Sequence, residues 1–226
     1  MRIGCLLALL AVGCGPPQKL SALPNKQISL LVNFNRPPPM STTPPSVSAL
    51  LQYENDTGIC PPLSIAATLD GVLLTADPAT SGNAGAACLL GFELSGAPPP
   101  TAPQSTLRFA DASGSASYTL ARLFDTRGFT TTTASAHAGD AVVLAWSVAS
   151  DAIDGAAASF SADGATLQHA TPSIAGTTAT VTVPALAPGS WTLQIAPLAH
   201  AAQGACDVEL CSNAIGSTTT LPLTIE

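Results

Sequence analysis

From Thr178 to Val183 the chain reads Thr-Ala-Thr-Val-Thr-Val, hydroxyl and apolar residues in unbroken alternation. A two-residue period places every apolar side chain on one face of an extended strand and every hydroxyl on the other. A helix cannot use that pattern, because its 3.6-residue turn would scatter both kinds around its circumference. The same period recurs at Ile28, Leu30, Val32 and Phe34, at Cys88, Leu90, Phe92 and Leu94, and at Val142, Leu144, Trp146 and Val148. It returns at Trp191, Leu193 and Ile195 and again at Leu221, Leu223 and Ile225. Short runs of this kind, separated by 20 Pro and 18 Gly, specify an all-β chain.

The turns can be placed as well. Asp70-Gly71 lies between two apolar runs and predicts a tight hairpin, since both residues tolerate positive φ. Asp111 to Gly114 predicts a second hairpin and Asp163-Gly164 a third. The stretches 36–45 and 96–103 are too rich in Pro to join a ladder and read as loops. Residues 28–126 therefore form an N-terminal β domain and residues 128–226 a second one. Residues 15–27 carry no period and read as a flexible tether.

Charge is scarce and unevenly spread. Only 9% of residues are charged, and the net charge of -7 argues against a phosphate-backbone partner. All seven Lys and Arg lie within residues 1–127, so the remainder carries acids alone. We read that acidic half as a solvated surface kept soluble by its net charge.

The beginning of the chain carries an address. Met1-Arg2 is a short positive segment, Ile3 to Val12 is apolar, and Gly13-Cys14 follows. The apolar run is about half the ~20 residues a membrane helix requires, and the pattern is that of an export signal. Ala11-Val12-Gly13-Cys14 resembles the lipobox of bacterial lipoproteins, with Ala11 where Leu is usual. The resemblance implies a signal peptide over 1–13, a lipid (palmitate-type acylation) on Cys14, and membrane attachment through that lipid. Gly15 is not the Asp linked with inner-membrane retention in such proteins, which implies the outer membrane.

The second half carries another resemblance. His137-Ala138-Gly139-Asp140 precedes a run ending Leu144-Ala145-Trp146-Ser147. Further on, Val181-Thr182-Val183 leads through Leu186-Ala187-Pro188-Gly189 to Trp191-Thr192-Leu193. These segments resemble the fibronectin type III and immunoglobulin-like modules, and imply a β-sandwich with a Pro-Gly turn between its E and F strands. The whole is similar to bacterial lipoproteins with two tandem β-sandwich domains, a likeness that brings no activity with it.

With Cys5 in the signal, Cys60, Cys88, Cys206 and Cys211 remain beside Cys14. Four cysteines in an oxidising compartment allow three pairings, and nearness favours Cys60–Cys88 and Cys206–Cys211. Cys88 shares the face of Leu90, Phe92 and Leu94, so its sulfur is expected to point inward.

Chemistry is harder to find. His137, His169 and His200 fall in turns and Ala-rich stretches, with no Gly-x-Ser-x-Gly or His-Glu-x-x-His pattern near them. Asp151, Asp154 and Asp163 miss the spacing of a calcium loop, and Cys206-x4-Cys211 misses that of a zinc knuckle. We therefore expect no catalytic residue, no metal and no cofactor. Two classes of function stand: a binding or structural module that contacts an envelope protein or glycan, and an envelope hydrolase with dispersed catalytic groups. For the first, the expected contact is the connection from His200 to Ile215, stiffened by Cys206–Cys211 and presenting Asp207, Val208, Glu209 and Leu210.

Overall fold

The computed structural model describes residues 18–34, 45–55, 57, 59–61, 63–94, 101–162 and 167–226. The lipobox, the signal peptide, most of the first Pro-rich stretch and the Asp163-Gly164 turn lie outside them. All the extended structure expected from alternation is present, and one 3-10 turn, Leu20–Ala22, precedes it.

Seven strands come from the first half: β1 (Gln27–Phe34), β2 (Ser46–Glu54), β3 (Ala66–Leu69), β4 (Val72–Ala84), β5 (Ala87–Leu94), β6 (Gln104–Asp111) and β7 (Gly114–Ala121). Asp70 and Gly71 take φ of 50° and 81°, so the first hairpin turns where two positive φ values were expected. β4 changes partner along its length. Its first residues pair with β3 and the remainder with β5, so one strand links two sheets. β1, β2, β5 and most of β4 make one layer, and β3, β6 and β7 the layer facing it. Their apolar faces meet: the Phe92 and Phe109 rings pack edge to face with centroids 5.5 Å apart.

The second half contributes β8 (Phe129–Thr130), β9 (Ser135–Ala136), β10 (Ala141–Trp146), β11 (Ala152–Ser161), β12 (Gln168–Ala170), β13 (Ser173–Ala175) and β14 (Thr178–Thr182). Then come β15 (Gly189–His200), β16 (Gln203–Cys206), β17 (Leu210–Ser217) and β18 (Thr219–Ile225). One sheet has the order β13-β14-β10-β8. Facing it, β18, β15, β11 and β12 are neighbours in that order, with β9 parallel to β18. That is the A-B-E-D against G-F-C arrangement of an immunoglobulin-type sandwich. Val142, Leu144, Ala179 and Val181 on one sheet, with Phe160, Leu193, Ile195 and Leu223 on the other, are all buried.

β16 and β17 belong to the chain of the second half and the sheets of the first. They fill the connection between β15 and β18, the position of the F–G loop, yet they form strands there. β17 pairs in parallel with all of β1, from Gln27↔Leu210 to Phe34↔Ser217. β16 adds to the opposite layer beside β7. The hairpin thus supplies the last strand of both layers of the N-terminal sandwich. The expected open loop from His200 to Ile215 is therefore corrected. Its alternation is hidden because its inward residues, Cys211, Asn213, Ile215 and Ser217, include two polar ones. Asn213 is satisfied in place: Oδ1 accepts from Ala201 N at 2.7 Å, and Nδ2 donates to Tyr118 Oη at 2.8 Å and to Ala201 O at 3.1 Å.

Two more connections tie the halves. β15 touches β17 at Ala199↔Ile215, which makes the hydrogen-bonded sheet continuous from one sandwich into the other. Between β7 and β8, Arg127 is wholly buried and donates Nε and Nη2 to the two carboxylate oxygens of Asp151. The segment read as tether also packs sooner than expected. Leu20 and Leu23 are buried, and Leu20 N donates to Asp111 Oδ2 at 2.6 Å. Two leucines three residues apart in a single 3-10 turn share a face, and here that face closes the end of the sandwich.

Candidate functional site

The outer face of the large sheet holds a groove of about 790 Å³. Its floor is built by the alternation that builds the core. Residues facing inward on β1, β2 and β5 are Leu30, Ala49 and Phe92, which leaves Leu31, Leu50 and Leu89 facing outward. The pairings Leu50↔Ser29, Leu31↔Ser48 and Leu31↔Ala214 place these leucines among hydroxyls and Ala214 in continuous cross-strand rows. Leu31 remains 40% exposed. Ser29 Oγ and Ser212 Oγ bond to each other at 2.8 Å across the parallel β1–β17 pair.

One wall of the groove is a β-bulge, and a second bulge sets the other. Along β4 the register jumps between Asp77 and Gly82, and the extra residues Pro78 to Ser81 stand up from the sheet. Asp77 organises them: its carboxylate accepts from Ala79 N at 2.9 Å and Thr80 Oγ1 at 2.7 Å, and its carbonyl accepts from Ser81 Oγ at 2.7 Å. The Thr80 hydroxyl, followed by the Ala79 N–H, holds the Asp77 carboxyl below its usual range. Ser81 Oγ in turn accepts Gly91 N at 3.0 Å, pinning the arch to the neighbouring strand. Position 91 must be glycine for this, because a Cβ there would overlap the Thr80 hydroxyl and come within 2.7 Å of Thr80 Cβ.

The opposite wall is His200, the last residue of β15. The β11–β15 register slips between Ile153 and Gly155, leaving Asp154 as the extra residue. A bulge of this kind re-aims a side chain, and here Asp154 Oδ2 lies 3.0 Å from His200 Nδ1. His200 had been expected in a loop; it is a strand residue lining the groove. With its Nδ1 proton turned to a carboxylate, a neutral imidazole presents Nε2 as an acceptor.

Among the described residues, no Lys, Arg, Asp, Glu, Phe, Tyr or Trp lines the groove. Its polar groups are hydroxyls, the Asn83 side chain and His200. The Thr80, Ser81, Ser29 and Ser212 hydroxyls are engaged with Asp77 or with one another. The arrangement can hold an apolar body and orient one polar group.

The residues expected to make contact lie elsewhere. Asp207 is clamped to β7, its N–H donating to Ser117 O at 3.0 Å and its carboxylate accepting the Ser117 hydroxyl. Glu209 N donates to Lys26 O at 3.2 Å, and Val208 packs against the core. Leu210 opens β17 and is 52% exposed. The hairpin tip is thus held by both layers. Both disulfides form as nearness favoured: Cys60–Cys88 and Cys206–Cys211, with Cα atoms 5.5 and 6.0 Å apart. The Cys88 sulfur is buried as expected. Asp151 is sequestered by Arg127 and by Trp146 Nε1 at 3.0 Å, so it cannot join Asp154 in a cation site. Trp146 is core as expected, while Trp191 is only partly buried and donates Nε1 to Ala187 O at 2.9 Å. Among the described residues no cluster of three His, Cys, Asp or Glu could hold a metal ion, and no helix is long and apolar enough to cross a membrane.

Fold and groove together define a disulfide-stapled, all-β sandwich protein with an open apolar groove on one sheet face. No protein-family model matches the chain, and no curated protein matches its sequence. Among solved structures it is similar to a chimeric titin Z1Z2 functionalized with a KLER exogenous peptide from decorin. The identity is 13% over 90% of this chain and 94% of that one, with a TM-score of 0.26. It is also similar to murine CEACAM1b, at 13% identity over 89% of this chain and all of that one, with a TM-score of 0.23. At this degree of overlap the fold rests on the strand order of the chain itself.

Proposed function

We propose that this protein is a lipid-anchored binding module of a bacterial envelope, held by Cys14 to the outer membrane and taking its ligand in the sheet-face groove. The observation that carries the binding reading is that a bulge shapes each wall, the arch pinned by Asp77 on one side and the His200 ring held by Asp154 on the other, around a floor of outward leucines. Two disulfides among the described residues support a place outside the cytoplasm. The engaged groove hydroxyls support binding over hydrolysis, since a serine nucleophile needs its hydroxyl on a base.

The test has two arms. Replacing Cys14 with Ser should release the protein from membranes or leave its precursor uncut; a variant of normal mature mass that still partitions with membranes refutes the anchor. For the groove, the immobilised full-length Cys14→Ser chain is exposed to solubilised envelope. It should retain a component that the further variant Leu31→Glu does not. Equal retention by both chains places binding away from the groove.

A further inference from the structure

The groove also defines what kind of molecule it takes, an inference that rests on its being the binding surface. We propose that the ligand is a neutral, single-chain aliphatic amphiphile. Its hydrocarbon lies on Leu31, Leu50 and Leu89, and its uncharged, hydrogen-donating head meets His200.

The argument is one of elimination by chemistry. An anionic head needs Arg, Lys or a cluster of free N–H groups, and among the described residues the lining has neither cation. A cationic head needs a carboxylate or an aromatic face, and among the described residues neither lines the site. Sugars and flat rings are held by stacking on an aromatic side chain, and the described lining has no Phe, Tyr or Trp. A protein partner of ordinary kind would bring aromatic and Arg anchors to a complementary pocket; this floor is shallow, aliphatic and edged with small hydroxyls. What remains is burial of CH2 groups, which depends on area and on the absence of charge. The volume of about 790 Å³ lies within the range of small-molecule sites.

His200 is a group in the lining that can fix an orientation. His200 is 29% exposed at its side chain, and Asp154 faces its Nδ1. In the neutral imidazole that leaves Nε2 to accept a hydrogen bond from a hydroxyl or amide on the ligand. Asp154 does not line the groove and acts as a positioning residue: it sets which imidazole nitrogen carries the proton. The rest of the wall, Thr80 and Ser81, is committed to Asp77, so head-group selection falls to His200.

The experiment is calorimetric titration of the full-length Cys14→Ser chain, below micelle formation, with four probes sharing one alkyl chain. These are monolauroylglycerol, its di-O-methyl ether, laurate and dodecylammonium. Monolauroylglycerol should bind at least roughly tenfold more tightly than either ion. Leu31→Glu should weaken it by a similar factor at an unchanged melting temperature, because that side chain is already half exposed. Asp154→Ala should erase the preference for the free glycerol over its ether while leaving the ether's affinity unchanged. Laurate or dodecylammonium binding as tightly as the neutral probe overturns the ligand class. So does a lack of binding by any probe when Leu31→Glu still abolishes retention of the envelope component, an outcome that leaves the groove standing with another occupant. If Leu31→Glu changes neither assay, the groove reading itself falls.

Discussion

Arg127 Nε donates to Asp151 Oδ2 at 2.7 Å where both side chains are fully excluded from water. Arg127 also gives Nη1 to Leu123 O at 2.7 Å and lies over the Phe34 ring at 5.8 Å, while Ser217 Oγ donates to the Arg127 carbonyl. Arg127 thus ties β1 and Asp151 through its guanidinium and β17 through its carbonyl. Arg127→Met leaves Asp151 buried with only Trp146 as donor, and should cost about 3–5 kcal/mol, as breaking one side of a buried pair does. Arg127→Lys should recover only part, because an ammonium cannot present the same fork. Urea unfolding of the two variants checks both. A Met variant within experimental error of the parent refutes the role.

Removing the second half should remove the first. Residues 18–127 alone lack β16 and β17, leaving β1 and β7 as open edges and the core without Ile215 and Cys211. Burying one Ile is worth about 1.5–3 kcal/mol, a large share of the margin of a small domain. The fragment should give no dispersed amide spectrum, and the whole chain should unfold in a single transition. A folded 18–127 fragment contradicts this.

The hairpin tip offers a sharper version. Since Asp207 bonds the Ser117 hydroxyl and backbone, Asp207→Ala should lower the melting temperature by a few degrees, consistent with about 1 kcal/mol for a lost hydrogen bond. A free contact loop would show no change. Unpairing Cys60–Cys88, whose ends are 28 residues apart, should cost more, about 3 kcal/mol in the chain-entropy account; denaturation of the Cys60→Ser, Cys88→Ser chain reads it.

Acid should loosen the N-terminal clasp. The Asp111 carboxyl is drawn down to about 2, first by the Leu20 N–H, then by the Ser113 hydroxyl and nearby backbone N–H groups. A depressed carboxyl stabilises the fold above its unfolded value of about 4, and that contribution is lost as pH falls toward the folded value. The urea midpoint should drop between about pH 5 and about pH 2, and drop less steeply in Asp111→Asn. Parallel curves would remove the clasp from the account.

Gly91→Ala probes the first wall. The added methyl meets Thr80 beneath the arch, so groove binding should fall while the core remains, with a stability cost of about 1–3 kcal/mol for the overpacking. A second substitution, Thr80→Gly, should restore both. Failure of that rescue would mean that the methyl acts elsewhere.

Much of this architecture was legible from periodicity alone, and the reasons for the exceptions are local. Alternation located β10, β14, β15 and β18, and Asp70-Gly71 announced its hairpin. The apolar run that follows Asp70-Gly71 stops at Thr75, because Pro78 and the four-residue arch interrupt the pattern just where β4 builds the groove. β17 was hidden because two of its inward positions are Asn213 and Ser217, whose partners, Tyr118 and Arg127, lie about 90 residues away in sequence. His200 was named for its chemistry and misplaced in a loop. Nothing near it in sequence shows that a bulge 46 residues earlier brings Asp154 to its ring. Leu31, Leu50 and Leu89 looked like strand residues without a role, because the alternation that separates two faces does not say which face meets water.

The donated hairpin also sets an order of events. Ser29 and Ser212, 183 positions apart in sequence, bond to each other. Synthesis proceeds from the N-terminus, so β1 is made long before β17. Until Ser217 has emerged, the first sandwich waits with its parallel edge unpaired and its core open, and contacts of such long sequence separation form slowly. Late strands complete the first ones made, so the first sandwich does not reach its final form before β17 has been added.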